Sequence, residues 1–315
     1  SITKTVTETS NKTSDNTKSY AINAPPNAKY ILNNINNKIT TLPQIEQLNA
    51  EPKGIIIKLP RNLRLLTKQL DWLNQNLPIG TQVVIAARQK DMPSTLPDLT
   101  RQLLNDVRPS RAVKKARLVY GFLSGRNSSQ DETTNWHCHE VDCLMSNLPN
   151  VFASQQLDSG ARFLIQNLGV IPKQVVDLGC GNGVLSIAAL RNNPTCHIKA
   201  IDESWAAIRS SRLNLERVSS LDNFQLYWND SLSNITKEQT DLVLCNPPFH
   251  QHQSITDHIA WQMFKDSYLI LKPGGRLRIV SNRHLGYHVK LKKIFGKCHT
   301  VAANSKFVVL ESTKR

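Results

Sequence analysis

The glycine-rich turn Gly179-Cys-Gly-Asn-Gly183 is the feature that most constrains the fold of this 315-residue chain. The apolar segment Lys173–Asp177 precedes the turn and Val184–Leu190 follows it, a pattern that predicts a buried parallel strand leading directly into a helix. Glycines at such a turn let the backbone approach a ligand at the carboxyl end of the strand. The turn alone is compatible with several ligands, although the dinucleotide fingerprint places its third glycine one residue later.

Two carboxylates follow the next two predicted strands. Asp202 ends the strand His197–Ile201, where a carboxylate can accept hydrogen bonds from both ribose hydroxyls, as it does in enzymes that bind NAD. Asp230 follows the strand Phe224–Tyr227 and can accept a hydrogen bond from an adenine amine. The pattern therefore predicts a site for an adenosine-containing cofactor, to which we assign Asp177, Gly179, Gly181, Gly183, Asp202 and Asp230.

A second motif, Asn246-Pro-Pro-Phe249, follows the apolar run Asp241–Cys245. Neither proline has an N–H and each fixes φ, so the motif predicts a rigid loop. The Asn246 side-chain oxygen and the Pro247 carbonyl can accept the two hydrogens of a planar amine, and Phe249 can stack on its ring. An amine held in this way is suited to in-line transfer of a methyl group from a sulfonium. We therefore predict a methyltransferase with Asn246, Pro247 and Phe249 at its catalytic site.

Strands and helices alternate along the rest of the chain, which is typical of an α/β fold. Two stretches share the order strand, helix, strand, helix, strand, which predicts an internal duplication of the second half of one α/β unit. The first copy lacks a glycine-rich turn and has Leu59-Pro60 where the second has Asn246-Pro247, so we expect it to bind no cofactor. The predicted strands are Gly54–Lys58, Gln82–Ala87 and Ala116–Phe122, then Asp241–Cys245, Arg276–Val280 and Lys306–Leu310, and one first-copy helix carries Leu99, Leu103 and Leu104.

The predicted fold class is α/β, with a Rossmann-like class I methyltransferase domain preceded by a degenerate, or incomplete, duplicated Rossmann-like domain. Four segments follow from the pattern. The first is a polar, partly disordered segment at 1–50, with short strands near Ser1–Val6 and Tyr30–Leu32. A degenerate methyltransferase-like domain without cofactor follows at 51–130. A linker and hairpin at 131–149 then lead to the catalytic domain at 150–315.

The formal net charge of +15 is concentrated towards the C-terminus, where Lys272–Arg315 contains eleven basic residues and one acidic residue. A polyanionic partner, most simply nucleic acid, explains this distribution, and a solvated basic surface is the alternative. We assign Arg283 and His284, with Lys290 and Lys293 three residues apart on a predicted helix, to contacts with RNA phosphates.

Composition excludes several classes. No apolar run approaches the roughly 18 to 20 residues of a membrane span, and no signal sequence precedes the fold, so we expect a cytoplasmic protein. The six cysteines show no paired spacing and are interpreted as thiols. His137, Cys138 and His139 do not predict a metal site, because neighbouring residues of a strand point to opposite faces.

Five segments together resemble the RsmC/RlmG-type ribosomal RNA guanine-N2 methyltransferases, and the likeness is closest to members that modify 23S rRNA. They are Val175–Val184, Ile201–Ser204, Cys245–Gln251, Asn282–Leu285 and Leu291–Gly296. The resemblance implies S-adenosyl-L-methionine as cofactor and the N2 amine of a guanine as acceptor. It also implies that Phe152 and Asp158 lie near the methionine moiety of the cofactor. The chain departs from the family near its N-terminus, where the first half of the degenerate domain is short or absent.

Other functions remain open at this stage. Asn-Pro-Pro-aromatic loops also serve methyltransferases for protein glutamine and for DNA adenine, and a guanine of 16S rRNA is a further candidate acceptor. An RNA-binding or assembly protein with an inactive methyltransferase fold belongs to a different class. Asp177, the glycines, Asp202 and Asn246 occur together, which favours an active enzyme. We expect it to act as a monomer without a metal.

Overall fold

The computed structural model describes residues 19–21, 39–41, 52, 54–128, 133–232, 239–248 and 253–315. The chain divides into two compact units, Ser1–Glu132 and Thr133–Arg315. The strands predicted near Ser1–Val6 and Tyr30–Leu32 lie outside the described residues. In the part of the chain that is described, no helix combines the length and apolar character needed to cross a membrane.

The N-terminal unit is built from short strands and two α-helices among its described residues. β1 pairs in parallel with β2, and a four-stranded sheet has the order β3-β4-β6-β5, in which β3 and β4 are parallel and the other pairs antiparallel. The elements are β1 (Ser19–Ala21), β2 (Ile39–Thr41), β3 (Gly54–Lys58), α1 (Leu63–Asn76), β4 (Gln82–Arg88), α2 (Leu96–Leu103), β5 (Leu104–Pro109) and β6 (Ala116–Leu123).

Helix α1 shows why the first predicted helix forms. The Asn62 side chain caps it by accepting a hydrogen bond of 2.9 Å from the backbone N–H of Arg64. Leu66, Leu70 and Leu73 recur every three or four residues and are completely buried in the core of this unit. Each buried leucine contributes roughly 1.5–3 kcal/mol relative to an exposed one, so the apolar stripe holds the helix on the sheet.

The predicted helix that carried Leu104 is shorter than expected. Helix α2 ends at Leu103, and Leu104 begins β5, so the assignment of Leu104 to the helix was wrong. Asp106 adopts a left-handed backbone conformation, with φ of 51°, which a right-handed helix cannot contain. The chain therefore turns into a strand before another helical turn can form.

The C-terminal unit begins with an antiparallel hairpin of β7 and β8, as predicted for the linker region. A seven-stranded sheet with helices follows. The elements are β7 (Thr134–Cys138), β8 (Cys143–Asn147), α3 (Ser159–Ile165), β9 (Gln174–Leu178), α4 (Val184–Asn192), β10 (His197–Asp202), α5 (Trp205–Leu215), β11 (Phe224–Trp228), β12 (Thr240–Cys245), α6 (Gln253–Ile270), β13 (Leu271–Asn282), α7 (Tyr287–Phe295), β14 (His299–Ala303) and β15 (Phe307–Thr313).

The strand order of the large sheet is β11-β10-β9-β12-β13-β15-β14. The first five strands are parallel, and β15 runs antiparallel to both of its neighbours. Both faces are covered, since Val175 belongs to one apolar cluster and Val176 to the other. From β9, the strands β10 and β11 are added on one side, whereas β12 is added on the other side. The strand order therefore reverses between β9 and β12, and a ligand crevice is expected at their carboxyl ends.

The two units share a pattern of strand pairing. The order β3-β4-β6-β5 has one parallel pair followed by two antiparallel pairs, and β12-β13-β15-β14 has the same sequence of pairings. This agrees with the predicted duplication of the second half of one α/β unit. The absence of a cofactor from the N-terminal copy stays a prediction.

Candidate active site

A cavity of about 610 Å³ opens at the carboxyl ends of β9, β10 and β12. Its wall combines the glycine turn after β9, Asp202 and Glu203 at the end of β10, and Asn246 with Pro247 after β12. Phe152 and Asp158, which precede α3, also line it. The structure therefore brings together residues that are far apart in the sequence at the place where the sheet topology predicts a ligand.

All three glycines of the turn after β9 have the positive φ that favours glycine over other residues. The φ angles of Gly179, Gly181 and Gly183 are 74°, 56° and 83°. Gly179 and Gly181 line the cavity. Gly183 does not, and a Cβ there would lie 3.0 Å from the Ser211 hydroxyl of α5. Gly183 thus allows close packing of α5 beneath the turn, and its direct contact with a cofactor stays a prediction.

Asp177 also lies beneath the turn and does not line the cavity. Its Oδ2 accepts hydrogen bonds from the Ser186 backbone N–H at 3.0 Å and the Ser186 hydroxyl at 2.6 Å, which fastens the first turn of α4. Complete burial raises the pKa of Asp177 to about 6. The sequence predicted a cofactor contact for Asp177, but its side chain points into the covered interior of the sheet and supports the turn instead.

Asp202 is held in place by backbone donors from both sides. Its Oδ2 accepts from the Gly181 N–H at 2.9 Å and its Oδ1 accepts from the Ser204 N–H at 2.8 Å. Burial raises the pKa of Asp202 above its usual value in spite of these hydrogen bonds. Each carboxylate oxygen has a further lone pair, so Asp202 can still accept hydrogen bonds from a ligand in the cavity.

The wall beyond Asp202 is acidic. Glu203 and Asp230 both line the cavity, and burial, together with the charges of Asp202 and Asp230, raises the pKa of Glu203. Next to them, the Ser231 hydroxyl is buried without a hydrogen-bond partner in the described part of the chain. A polar ligand with several donors suits this part of the wall, because buried polar groups are normally paired.

Asn246 lines the cavity, and its side-chain amide is hydrogen-bonded through its nitrogen. Its Nδ2 donates a hydrogen bond of 3.3 Å to Asp158 Oδ2. Its Oδ1 is buried and has no partner among the described residues. Pro247 and Pro248 form the adjoining wall. Phe249, the predicted stacking residue, lies outside the described residues.

Two helices contribute to the site beyond the residues that the sequence motifs assigned to it. On α5, the Ser211 hydroxyl donates to the Gly181 carbonyl at 3.0 Å, and Asn214 Nδ2 donates to the Asn182 carbonyl at 2.9 Å. Both side chains are completely buried. On α6, one face lines the cavity through His258, Ile259, Gln262 and Met263. His258 and Ile259 lie four residues before Gln262 and Met263, which predicts that the four share one face of a helix. This spacing does not predict which face of α6 contacts a ligand.

The four residues predicted to bind RNA lie outside the cavity wall. Arg283 and His284 are exposed in the turn that follows β13, and Lys293 is exposed on α7. Lys290 lies over the Tyr287 ring, with its Nζ 5.2 Å from the ring centroid. Helix α7 buries Tyr287, Leu291 and Phe295, so its basic residues are directed away from its packed face.

The cavity fits S-adenosyl-L-methionine. The backbone of the turn is open to a ligand at Gly181, where a Cβ would have no neighbour within 4 Å. Asp202 provides two carboxylate oxygens held by backbone donors, and Asn246 lines the same cavity. The strand order, with its antiparallel β15, and this site define an S-adenosyl-L-methionine-dependent methyltransferase of class I.

The comparisons with known proteins agree with this class. The model for the Methyltransferase small domain matches residues 142–311, and that for the RLMG N-terminal domain matches residues 12–127. Ribosomal RNA large subunit methyltransferase G of Magnetococcus marinus is 65% identical over 283 residues, which cover 90% of this chain and 77% of that protein. The chain belongs to the ribosomal RNA large subunit methyltransferase G family.

A more distant member and a solved structure extend the comparison. Ribosomal RNA large subunit methyltransferase G of Pseudoalteromonas translucida is 43% identical over 281 residues, covering 87% of this chain and 74% of that protein. The 16S rRNA N2 methyltransferase RsmC of T. thermophilus, solved in complex with AdoMet and guanosine, has a TM-score of 0.79 with 19% identity. This match covers 100% of the chain and 92% of RsmC, and confirms the fold.

Replacing Asp177 with asparagine should change how stability depends on pH. Burial raises the pKa of Asp177 in the folded state to about 6 from an ordinary 3.8, so the folded state binds this proton more tightly than the unfolded state. The wild type therefore loses stability as pH rises through the window from about 4 to about 6, and Asp177→Asn removes this loss. Urea titrations across the window measure the difference in free energy of unfolding.

The free energy of unfolding of Asp177→Asn should rise relative to that of the wild type as the pH rises through this window. Asp222→Asn, which changes an exposed aspartate, is the matched control and should show no such trend. A difference between wild type and Asp177→Asn that stays constant across the window would contradict the assignment.

Proposed function

We propose that this chain transfers a methyl group from S-adenosyl-L-methionine to the exocyclic N2 amine of a guanine in 23S rRNA. The observation that carries the proposal is the amide of Asn246, a residue of the cavity wall, whose buried Oδ1 has no hydrogen-bond partner among the described residues. The names of the M. marinus and P. translucida relatives support a large-subunit rRNA as substrate. A cytoplasmic location and action as a monomer are part of the same proposal.

The residues of the cofactor site have separate proposed roles. When bound, S-adenosyl-L-methionine supplies an electrophilic methyl group. Gly179 and Gly181 expose backbone to the cofactor, and Asp202 accepts hydrogen bonds from the ribose hydroxyls. Asp230 accepts from the adenine amine. Phe152 and Asp158, which both line the cavity, stay assigned to the methionine end.

The acceptor is held by the loop after β12. Asn246 Oδ1 and the Pro247 carbonyl accept the two hydrogens of the guanine amine and thereby direct its lone pair towards the methyl group. Phe249 stacks on the base in this proposal. Positioning of this kind supplies on the order of 7–11 kcal/mol in favourable cases, so orientation accounts for much of the rate without a strong base. The exposed Arg283, His284 and Lys293, together with the half-buried Lys290, would contact phosphates of the RNA that carries the guanine.

The alternatives differ in their acceptor and can be compared in one assay. Purified protein is incubated with radiolabelled S-adenosyl-L-methionine and, separately, with 23S rRNA, 16S rRNA, duplex DNA and a glutamine-containing protein acceptor. Label in 23S rRNA, recovered as N2-methylguanosine after nuclease digestion, supports the proposal. Label in another acceptor selects the corresponding alternative, and binding of RNA without label in any acceptor indicates an inactive methyltransferase fold.

Asn246→Ala should abolish methyl transfer while leaving cofactor affinity nearly unchanged, because the amide faces the acceptor amine. We expect kcat to fall by more than about tenfold, equivalent to roughly 1.4 kcal/mol in the barrier. Single-turnover transfer to 23S rRNA measures the rate, and calorimetry with S-adenosylhomocysteine measures cofactor affinity. Retention of more than about a tenth of wild-type kcat would reject the assignment.

Asp202→Ala is the reciprocal control for that experiment. It removes the acceptor for two ribose hydroxyls, so cofactor affinity should fall by about tenfold or more, and transfer should recover in part at high cofactor concentration. If the affinity is unaltered, the ribose contact belongs to Glu203 or to another residue.

Reversal of Lys290 and Lys293 to glutamate should weaken RNA binding and flatten its salt dependence. Each lost phosphate contact should reduce the slope of log affinity against log salt by about 0.7 to 0.9, and cofactor affinity should survive. The matched control, Lys173→Glu with Arg191→Glu, reverses two exposed charges, one directly before β9 and one in the last turn of α4. Equal slopes for the wild type and the Lys290 and Lys293 variant would show that this basic surface is only solvated.

A further inference from the structure

The amide of Asn246 can in principle adopt two orientations in the same space. The oxygen and nitrogen of an amide are similar in size, and rotation by 180° exchanges an acceptor for a donor. Only one orientation directs an acceptor towards the hydrogens of an amine. The other directs two N–H hydrogens at the amine and would repel it. The reaction therefore depends on what selects the orientation.

Asp158 makes that selection. Its Oδ2 lies 3.3 Å from Asn246 Nδ2 and accepts that hydrogen bond. An ionised carboxylate has acceptors only, so the rotated amide would place two oxygens face to face at this distance. With Nδ2 bound to Asp158, Oδ1 is the atom left buried and without a hydrogen-bond partner among the described residues.

Asp158 is itself fixed by the start of α3. The same Oδ2 accepts a hydrogen bond of 2.9 Å from the Ala161 backbone N–H, which makes Asp158 the N-cap of the helix. Its position is thus set by backbone and does not depend on a bound ligand. The start of α3 therefore fixes the carboxylate that contacts Asn246.

The neighbouring glycine leaves room for this pair. A Cβ on Gly160 would lie 2.9 Å from Asp158 Oδ2 and 3.5 Å from Asn246 Oδ1. The first distance is shorter than a tolerated carbon–oxygen contact. The first turn of α3 therefore packs against the hydrogen bond between Asp158 and Asn246 at a position where any added side chain would press on it.

We infer that Asp158 is a positioning residue for methyl transfer, which acts through Asn246 by fixing its amide with Oδ1 towards the acceptor amine. The inference rests on the proposed function and assigns Asp158 a role apart from its expected place near the methionine end of the cofactor. Asp158 and Asn246 are 88 residues apart in the chain, and their contact joins the segment before α3 to the loop after β12.

Two substitutions of Asp158 separate orientation from helix capping. Serine caps helices about as well as aspartate, but its hydroxyl is one bond shorter and should not reach Asn246. Asparagine keeps a side-chain oxygen at the same reach, which can accept from both Ala161 and Asn246. With cofactor saturating, we expect kcat to fall about tenfold to a hundredfold in Asp158→Ser and to stay within about fivefold of wild type in Asp158→Asn.

A spectroscopic measurement reports the amide without relying on turnover. In protein labelled with ¹⁵N-asparagine, the side-chain signal that disappears in Asn246→Ala identifies Asn246. Its amide protons should exchange slowly with solvent in wild type and in Asp158→Asn, and at least about tenfold faster in Asp158→Ser. Gly160→Ala should also speed this exchange and lower kcat, although alanine favours the helix more than glycine does.

The outcomes distinguish this inference from the proposed function. If wild type methylates no RNA, the proposed function fails, and the exchange rates still decide whether Asp158 holds the Asn246 amide. If wild type is active and Asp158→Ser keeps its kcat and slow exchange, the positioning role is overturned. It is equally overturned if Asp158→Asn falls as far as Asp158→Ser, because the negative charge and not the hydrogen bond would then be required.

Discussion

The parallel pairing of β9 with β10 on one side and β12 on the other is the constraint on which the site depends. Leu178, at the end of β9, pairs with Ile201 of β10 and with Cys245 of β12. The residues that follow these three positions are Gly179, Asp202 and Asn246, so one register brings the turn, the ribose acceptor and the amide to a single edge. A shift of one residue in either ladder would turn these side chains to the other face.

Buried polar contacts then make that edge rigid. Asp177 fastens α4 through Ser186, Asp202 holds Gly181, and Ser211 of α5 holds the same glycine from its carbonyl side. These groups are costly to bury, as the raised pKa values of Asp177 and Asp202 indicate. The cost is offset by hydrogen bonds that hold the turn in one conformation, which an apolar core of the same volume would not specify.

The N-terminal unit shows what the same strand order does without these residues. Its sheet repeats the pairing pattern of the C-terminal half-sheet, and Leu59 follows β3 where Asn246 follows β12. A leucine offers no side-chain acceptor, and no glycine-rich turn precedes β3 in the sequence. The shared strand order therefore comes without the glycine-rich turn and the amide in the N-terminal unit. The chemistry comes from a few side chains and one turn placed on that order.

The sequence by itself determined the α/β class and the positions of the glycine turn, Asp202 and the Asn-Pro-Pro loop at the ends of strands. These features depend on local patterns of apolar residues, glycine and proline. It missed β5 and β14, which are edge strands with largely exposed residues and so lack a clear apolar alternation. Only the tertiary structure decided that Asp177 and Gly183 support the turn from beneath, that one face of α6 lines the cavity, and that Asp158 meets Asn246. The physical reason is that side-chain direction and contact between distant segments depend on strand register and helix packing, and no local pattern in the sequence encodes either.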